Sequence, residues 1–352
     1  MATRPSLSQA RLFAQLIERL TPEIRRAFMA SITDLQSHVD WPLLIDRLTV
    51  GDINGAISAL NINPAAFNEY SSAMSAAYAQ AGAATATQIR MMGIGGIGVR
   101  FNMSNPRAQD WINRYVGESI TGYTREAVEV ARRVISEGYT LGHGPRTIAL
   151  DLVGRVGPDS VRTGGVMGLD APRAERYARV VQGMRTAEGV QGLVIAHETG
   201  GYSMRYKVNA ATAQRILRAY LAETEVPAAE RLISERQYKN ALLKARGDTV
   251  AATETANAVM SGRMEEWQQL AESEGLDRSA IIKTWRHRRG ERNARPDHIA
   301  MNGQSVRGLD TPFVFPDGAE LQYAHDPDGG ARHVINCGCD TEFRLDHSVG
   351  VQ

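Results

Sequence analysis

Residues 284–340 read TWRHRRGERNARPDHIAMNGQSVRGLDTPFVFPDGAELQYAHDPDGGARHVINCGCD. Apolar runs in this stretch are short, and Gly, Pro, Asp or Asn interrupts it every few residues. Such punctuation closes turns and stops helices, so the stretch predicts a small domain of short strands and loops. Upstream the pattern changes. Apolar residues recur at i, i+3 and i+4, which lines them along one helical face. The predicted fold class is therefore mainly α, with elongated helical N-terminal and central regions and a small α+β C-terminal domain.

Working back toward the N-terminus, the periodicity predicts helices over residues 248–274, 227–246, 209–224 and 171–186, and a short one over 148–153. Asn105 is a capping residue with Pro106 in the first helical position. It opens a long amphipathic helix that Gly138 is expected to stop, with Trp111, Tyr115, Ile120 and Tyr123 in its stripe. Residues 93–98, GIGGIG, match the spacing of a dinucleotide-binding loop. No strand precedes them, so they read as a glycine hinge. An Ala-rich helix runs from Pro64 toward Met92. Residues 41–60 hold short helical pieces broken by Gly51 and Gly55. Residues 6–20 predict one helix, and Thr21 with Pro22 predicts the start of a second that carries Ile24, Phe28, Ile32 and Leu35. These readings divide the chain into an N-terminal helical domain (1–92), a central long-helix region (93–280) and a C-terminal α+β domain (281–352).

Forty basic residues nearly cancel thirty-nine acidic ones across the 352 positions, so no overall field draws nucleic acid or an anionic membrane. Any phosphate contact must be local. The best local candidate lies between Lys283 and Arg295, where six basic residues accompany the single acid Glu291. Arg286, Arg288, Arg289, Arg292 and Arg295 are its candidate nucleic-acid contacts, because Arg neutralises phosphate without reading sequence. A solvated face, or a dock for an acidic patch, reads the same residues equally well. The opening residues are polar and then amphipathic around Glu18, which suits neither a secretory signal nor a spanning helix, so neither export nor membrane insertion is expected.

Cys337 and Cys339 are the two cysteines, one glycine apart. So close a pair makes a poor disulfide staple and fits synthesis in a reducing compartment. With His298 they form a set of soft and borderline ligands, a candidate structural zinc site that Asp326, His325 or His333 could complete. The bland alternative is a pair of buried thiols beside a hydrogen-bonded histidine. His197 and Glu198 lack the second histidine of a zinc protease, since Gly201 stands in its place, and no nucleophile elbow occurs. Catalysis is not expected.

The 284–340 stretch resembles the C-terminal domain of the phage Mu F-like minor head protein, or head-morphogenesis, family. The resemblance rests on residues in fixed order: Trp285, Arg295 with His298, Asn302 with Gly303, Phe313 with Pro316 and Gly318, Asp326 with Pro327, and Asn336 with Cys337 and Cys339. Upstream, LLKARGDTVAATETANAVMSGRMEEWQ is similar to the family's helix pair around Thr253, Glu254 and Thr255, and residues 105–157 look like its central helices. Together these cover the last two-thirds of the chain. Gly338 departs from the arginine often found between the family's cysteines.

The resemblance implies a low-copy virion or assembly protein made in the host bacterial cytoplasm and placed in the head interior near the portal. Its implied partners are the portal protein and other head proteins, with packaged double-stranded DNA a further candidate. Its implied work is head morphogenesis, DNA packaging or DNA ejection. The competing expectations are a DNA-binding module and a toxin-like enzymatic module.

Overall fold

Helix makes up 64% of the protein and strand 9%, the mainly α balance that the apolar periodicity predicts. The computed structural model describes residues 8–94, 98–156, 162–288 and 294–348. Its helices begin with α1 (Gln9–Ser37), α2 (Trp41–Thr49), α3 (Ile53–Ser58), α4 (Asn68–Met91) and α5 (Pro106–Trp111). They continue with α6 (Gly117–Thr140), α7 (Pro145–Val153), α8 (Ala171–Gly183), α9 (Ala187–Leu193) and α10 (Ala210–Leu221). The long α11 (Ala228–Ser273) precedes the short α12 (Pro296–Ala300) and α13 (Gly330–Val334). Two antiparallel strand pairs, β1 (Arg155–Val156) with β2 (Arg162–Thr163) and β3 (Val194–Ala196) with β4 (Tyr202–Met204), interrupt the helical part. The remaining strands are β5 (Ile281–Arg286), β6 (Ser305–Arg307), β7 (Phe313–Val314), β8 (Glu320–Leu321) and β9 (Asp340–Leu345).

Three helix boundaries differ from the sequence expectation. Thr21 does not cap a second helix: α1 runs through Pro22, and the Thr21 hydroxyl donates to the Ile17 carbonyl at 2.7 Å. A proline inside a helix costs about 3 kcal/mol. The unbroken buried stripe of Phe13, Leu16, Leu20, Ile24, Phe28, Ile32 and Leu35 outweighs it. Similarly, α11 continues through Gly247 as one helix of 46 residues where two were expected. The helix begun at Pro106 passes through a π turn at Ile112–Val116 and ends at Thr140 rather than at Gly138. Gly138 is there for space. A Cβ on it would lie 2.7 Å from Ile148 Cγ1, so only hydrogen lets α7 approach.

Two compact units are assembled from non-consecutive segments. One holds the chain up to Met29, Phe67–Ser119 and everything from Asp248 onward. The other holds Ala30–Ala66 and Ile120–Gly247. The consecutive blocks cut at 92 and 280 do not coincide with them, because periodicity identifies helices without indicating which ones return to pack together.

In the first unit β5 is the middle strand, antiparallel to both β6 and β9. One face of this region buries Trp285, Met301, Phe313, Phe315, Leu321, Ala324 and Cys339 in a common core. From α11, Trp267 stacks on Phe343 of β9 at 5.6 Å. The buried Arg263 reaches Asp340 at 2.7 Å, with its guanidinium 4.1 Å from the Phe13 ring. In the second unit, Asp40 and Asp52 accept hydrogen bonds at the starts of α2 and α3, and Tyr139 donates to the Leu48 carbonyl at 2.6 Å. The His-Glu-Thr-Gly-Gly sequence forms the turn of the β3–β4 hairpin, with His197 and Ser203 2.9 Å apart and exposed.

Candidate metal centre

His298 is buried on α12, a helix of five residues begun by Pro296. The Arg295 guanidinium just before it donates to the Ile335 carbonyl at 2.6 Å, tying α12 to the turn that carries the cysteines. Within that turn Asn336 has φ of 50°, a left-handed conformation that Asn tolerates better than most residues. Its N–H donates to the Thr253 hydroxyl of α11 at 3.2 Å. The turn is thus fixed from two sides before Cys337 and Cys339 are reached.

The sulfur atoms of Cys337 and Cys339 lie 3.4 and 3.5 Å from Nδ1 of His298. Beyond the ring, His298 Nε2 faces His333 Nδ1 at 3.2 Å, and His333 Nε2 faces Asp317 Oδ2 at 3.1 Å. This chain of contacts selects among the ring tautomers. The Asp317 carboxyl is held low, chiefly by the Ala319 N–H and then by His333 and Arg332, so it is an ionised acceptor. His333 Nε2 must then donate to it. In the arrangement with both rings neutral, His333 Nδ1 accepts from His298 Nε2, and His298 Nδ1 faces the two sulfurs as an acceptor for either a thiol proton or a metal ion. Donation of the second ring N–H toward a carboxylate is how histidine ligands of metals are oriented.

The spacing fits a tetrahedral ion. A zinc with Zn–S near 2.3 Å and Zn–N near 2.0–2.1 Å requires N···S edges of roughly 3.5–3.6 Å. The two observed edges are 3.4 and 3.5 Å. The Cys339 N–H also donates to the Cys337 sulfur at 3.4 Å, and the Cys337 thiol is held far below its ordinary range, first by its hydrogen bond with Cys339 and then by His298. The thiolate is the form that binds metal. His298, Cys337 and Cys339 therefore form a set that could hold a metal ion, and Asp297, His298 and His333 form a second, overlapping one.

The other sequence candidates take supporting places. His325, with φ of 65°, has Nε2 3.2 Å from the Cys339 carbonyl, which can only accept, so His325 donates and steadies the turn. Asp326 accepts from the Gln322 and Asp328 N–H groups at 2.7 and 3.1 Å, and burial raises its pKa. His333 uses both nitrogens in the relay. Residue types alone do not reveal the part played by Asp317. The signal available was its position in Pro-x-Gly, the β7–β8 turn, where Gly318 has φ of 86°.

Of the candidate phosphate contacts, Arg286 pairs with Glu342 at 2.6 Å and Arg295 is committed to Ile335, while Arg288 is exposed. Arg289 and Arg292 lie outside the described residues, as do residues 95–97 of the glycine hinge. A cavity of about 500 Å³ adjoins the cysteines, lined by Arg11, Met260, His287 and Arg288 among others. Among the described residues no helix is long and apolar enough to cross a membrane. No family model, no curated protein and no solved structure matches the chain.

Proposed function

We propose that this chain is a minor head protein of a tailed bacteriophage, associated with the portal vertex and acting in head morphogenesis, DNA packaging or DNA ejection. Its last segment would be a structural module organised by a zinc ion on His298, Cys337 and Cys339. The observation that carries this reading is the hydrogen bond from Asn336 to Thr253, which joins two motifs of the resemblance separated by 83 positions. Other members of the ordered motif string also have structural work in the same region. Trp285, Phe313 and Phe315 form the core against which His298 packs, with the Trp285 and Phe315 rings 5.7 and 5.2 Å from its own. Gly303 takes φ of 86° and donates to the Trp285 carbonyl. Asp326 caps the short 3-10 helix at Pro327–Gly329. A motif string whose members build one site is what a shared domain would produce, whereas chance matches would scatter.

Zinc suits two thiolates and an imidazole better than magnesium or calcium, which take oxygen ligands. In this reading the ion ties α12 to the turn before β9 and contributes to folding rather than to catalysis. The portal, other head proteins and packaged DNA are the partners proposed for it.

Quantitative mass spectrometry of particles of the encoding phage, and of ghosts emptied of DNA, tests the role. The chain is expected at a fixed low ratio to the portal protein; depletion from ghosts would mark ejection and equal amounts a retained component. Absence from both overturns the virion assignment. Metal analysis of the purified chain tests the centre, with about one zinc per chain expected.

A further inference from the structure

We infer that the cavity beside Cys337 and Cys339 is a binding site for a small organic acid, whose carboxylate completes the metal centre and whose apolar body lies against α1 and α11. The inference rests on the metal reading above and gives that centre a ligand. The set of mutually close ligand atoms that includes both cysteines holds three residues, His298, Cys337 and Cys339. Their neighbours are engaged elsewhere. Both nitrogens of His333 are used in the relay, Asp326 is committed to two backbone N–H groups, and His287 approaches Cys339 alone, at 3.6 Å. A zinc held by three protein ligands keeps its fourth position for water or another outside ligand. The cavity supplies the room. His298 packs against Trp285 and Phe315 and lines none of it, whereas Cys337 and Cys339 both line its volume of about 500 Å³, which is in the range of small-molecule pockets.

The lining defines the ligand. Ile17 of α1 with Ala256 and Met260 of α11 gives the cavity an apolar wall. Arg11 and Arg288 also line it and are exposed, and among the described residues neither guanidinium has an acidic partner. Asp340, the one acid among the described lining residues, is held by Arg263 at 2.7 Å. Two such cations beside a metal ion select an anion. A carboxylate suits both, as an oxygen ligand of zinc and as a planar partner for guanidinium. His325 adds a further requirement. Its ring is buried against the cavity, its Nε2 donates to the Cys339 carbonyl, and its Nδ1 has no hydrogen-bond partner within the protein. In the neutral ring Nδ1 is an acceptor, and a buried acceptor left unmet is costly, so a donor beside the carboxylate is the group it fits. A 2-hydroxy acid with a short hydrocarbon chain has all three features.

Cobalt substitution of the full chain tests this, with 2-hydroxyhexanoate, hexanoate and glycolate as probes. All three should alter the absorption of the Co(II) protein. The first should bind about tenfold or more tighter than glycolate, which lacks the hydrocarbon chain, and about threefold to tenfold tighter than hexanoate, which lacks the hydroxyl. Ala256→Leu fills the space along the wall and should remove the first preference, while His325→Leu should remove the second. Arg11→Glu, at an exposed position where folding is not at stake, should weaken every probe by about threefold or more and leave the spectrum without probe unchanged. A wild-type Co(II) spectrum indifferent to all three acids overturns the binding site and leaves the metal centre standing. Equal affinities for glycolate and 2-hydroxyhexanoate overturn the place given to the apolar body. A wild-type chain that takes up neither cobalt nor zinc removes the centre itself, and the ligand with it.

Discussion

The loop at residues 165–170 in one unit and the Cys-x-Cys turn in the other are both irregular, both buried in part, and held by opposite chemistry. In the first, the Lys239 ammonium donates to the Gly165 and Met167 carbonyls, each at 2.6 Å, and Arg246 donates to the Gly168 carbonyl at 2.9 Å and to Glu126 at 2.8 Å. Donors meet acceptors, and the arrangement is complete as built. In the second, a ring nitrogen and two sulfurs converge, all of them carrying lone pairs. Either a thiol proton or a metal cation can sit between them, and the proposed centre takes the second. A buried cluster of polar atoms is therefore informative by its balance of donors and acceptors, not by its size.

On the proposed zinc reading, removing the ion from the second cluster has the largest expected effect. Isolated zinc-finger peptides gain roughly 10–16 kcal/mol from their metal. This unit has an apolar core of its own, so chelation should cost less, on the order of 5 kcal/mol, lowering Tm by roughly 10–20 °C. Cys339→Ser should unfold near the temperature of the chelated wild type and respond little to chelator. Calorimetry with and without chelator checks this, and a wild-type transition indifferent to chelator would show that the turn stands unaided.

The donor-held loop should behave in the contrary way. Lys239→Met leaves the Gly165 and Met167 carbonyls buried without that donor, an unmet demand of about 1–3 kcal/mol each. Urea unfolding should show a loss of about 2–4 kcal/mol that is the same with and without chelator. If chelator changes the size of the loss, the two devices are coupled and the contrast between them is weaker than drawn.

Between these extremes lies Asp317. Its carboxylate fixes the proton on His333 and so, through the relay, the lone pair on His298. An amide at 317 can donate as well as accept, which allows the relay to run backward and place a proton on His298 Nδ1. Asp317→Asn should weaken zinc binding by about 10–100-fold while stability at saturating zinc stays near wild type. Competition with a metal indicator reads the affinity, and an unchanged value would demote the relay to packing.

Much of this was legible in the sequence, and the omissions have a common cause. The amphipathic stripes of α1 and α6 follow from spacing along one segment, as do the caps at Asn105 and Asp170 and the change of pattern at Trp285. His298, Cys337 and Cys339 were recognisable by ligand type alone. Pro22 and Gly247 misled because they weigh on local propensity, which continuous burial overrides. Asp317 and Lys239 stayed hidden because their meaning depends on residues 16–74 positions away in the chain. Only strand register or helix packing brings those together.

Lys283 carries the same comparison into the unit that holds the candidate metal centre. Its ammonium is buried and donates to the Leu309 and Gln322 carbonyls at 2.7 and 2.9 Å, the device used by Lys239. Burial pushes its pKa down from 10.5 to about 8, and burial pushes that of Lys239 down too. Between pH 8 and 10.5 the unfolded chain holds the Lys283 proton and the folded chain has lost it, so stability from this site rises with pH across that window. Below pH 8 both states are protonated, and the cost of burying the charge is fully present. Relative to Lys283→Met, the wild type should therefore gain on the order of 1–2 kcal/mol between about pH 7 and about pH 10, read from urea midpoints at each pH. Parallel profiles would mean that the carbonyl contacts offset desolvation completely. In that case donor clamps could hold a buried loop without any sensitivity to pH, and the metal centre would differ from them only in the identity of its cation.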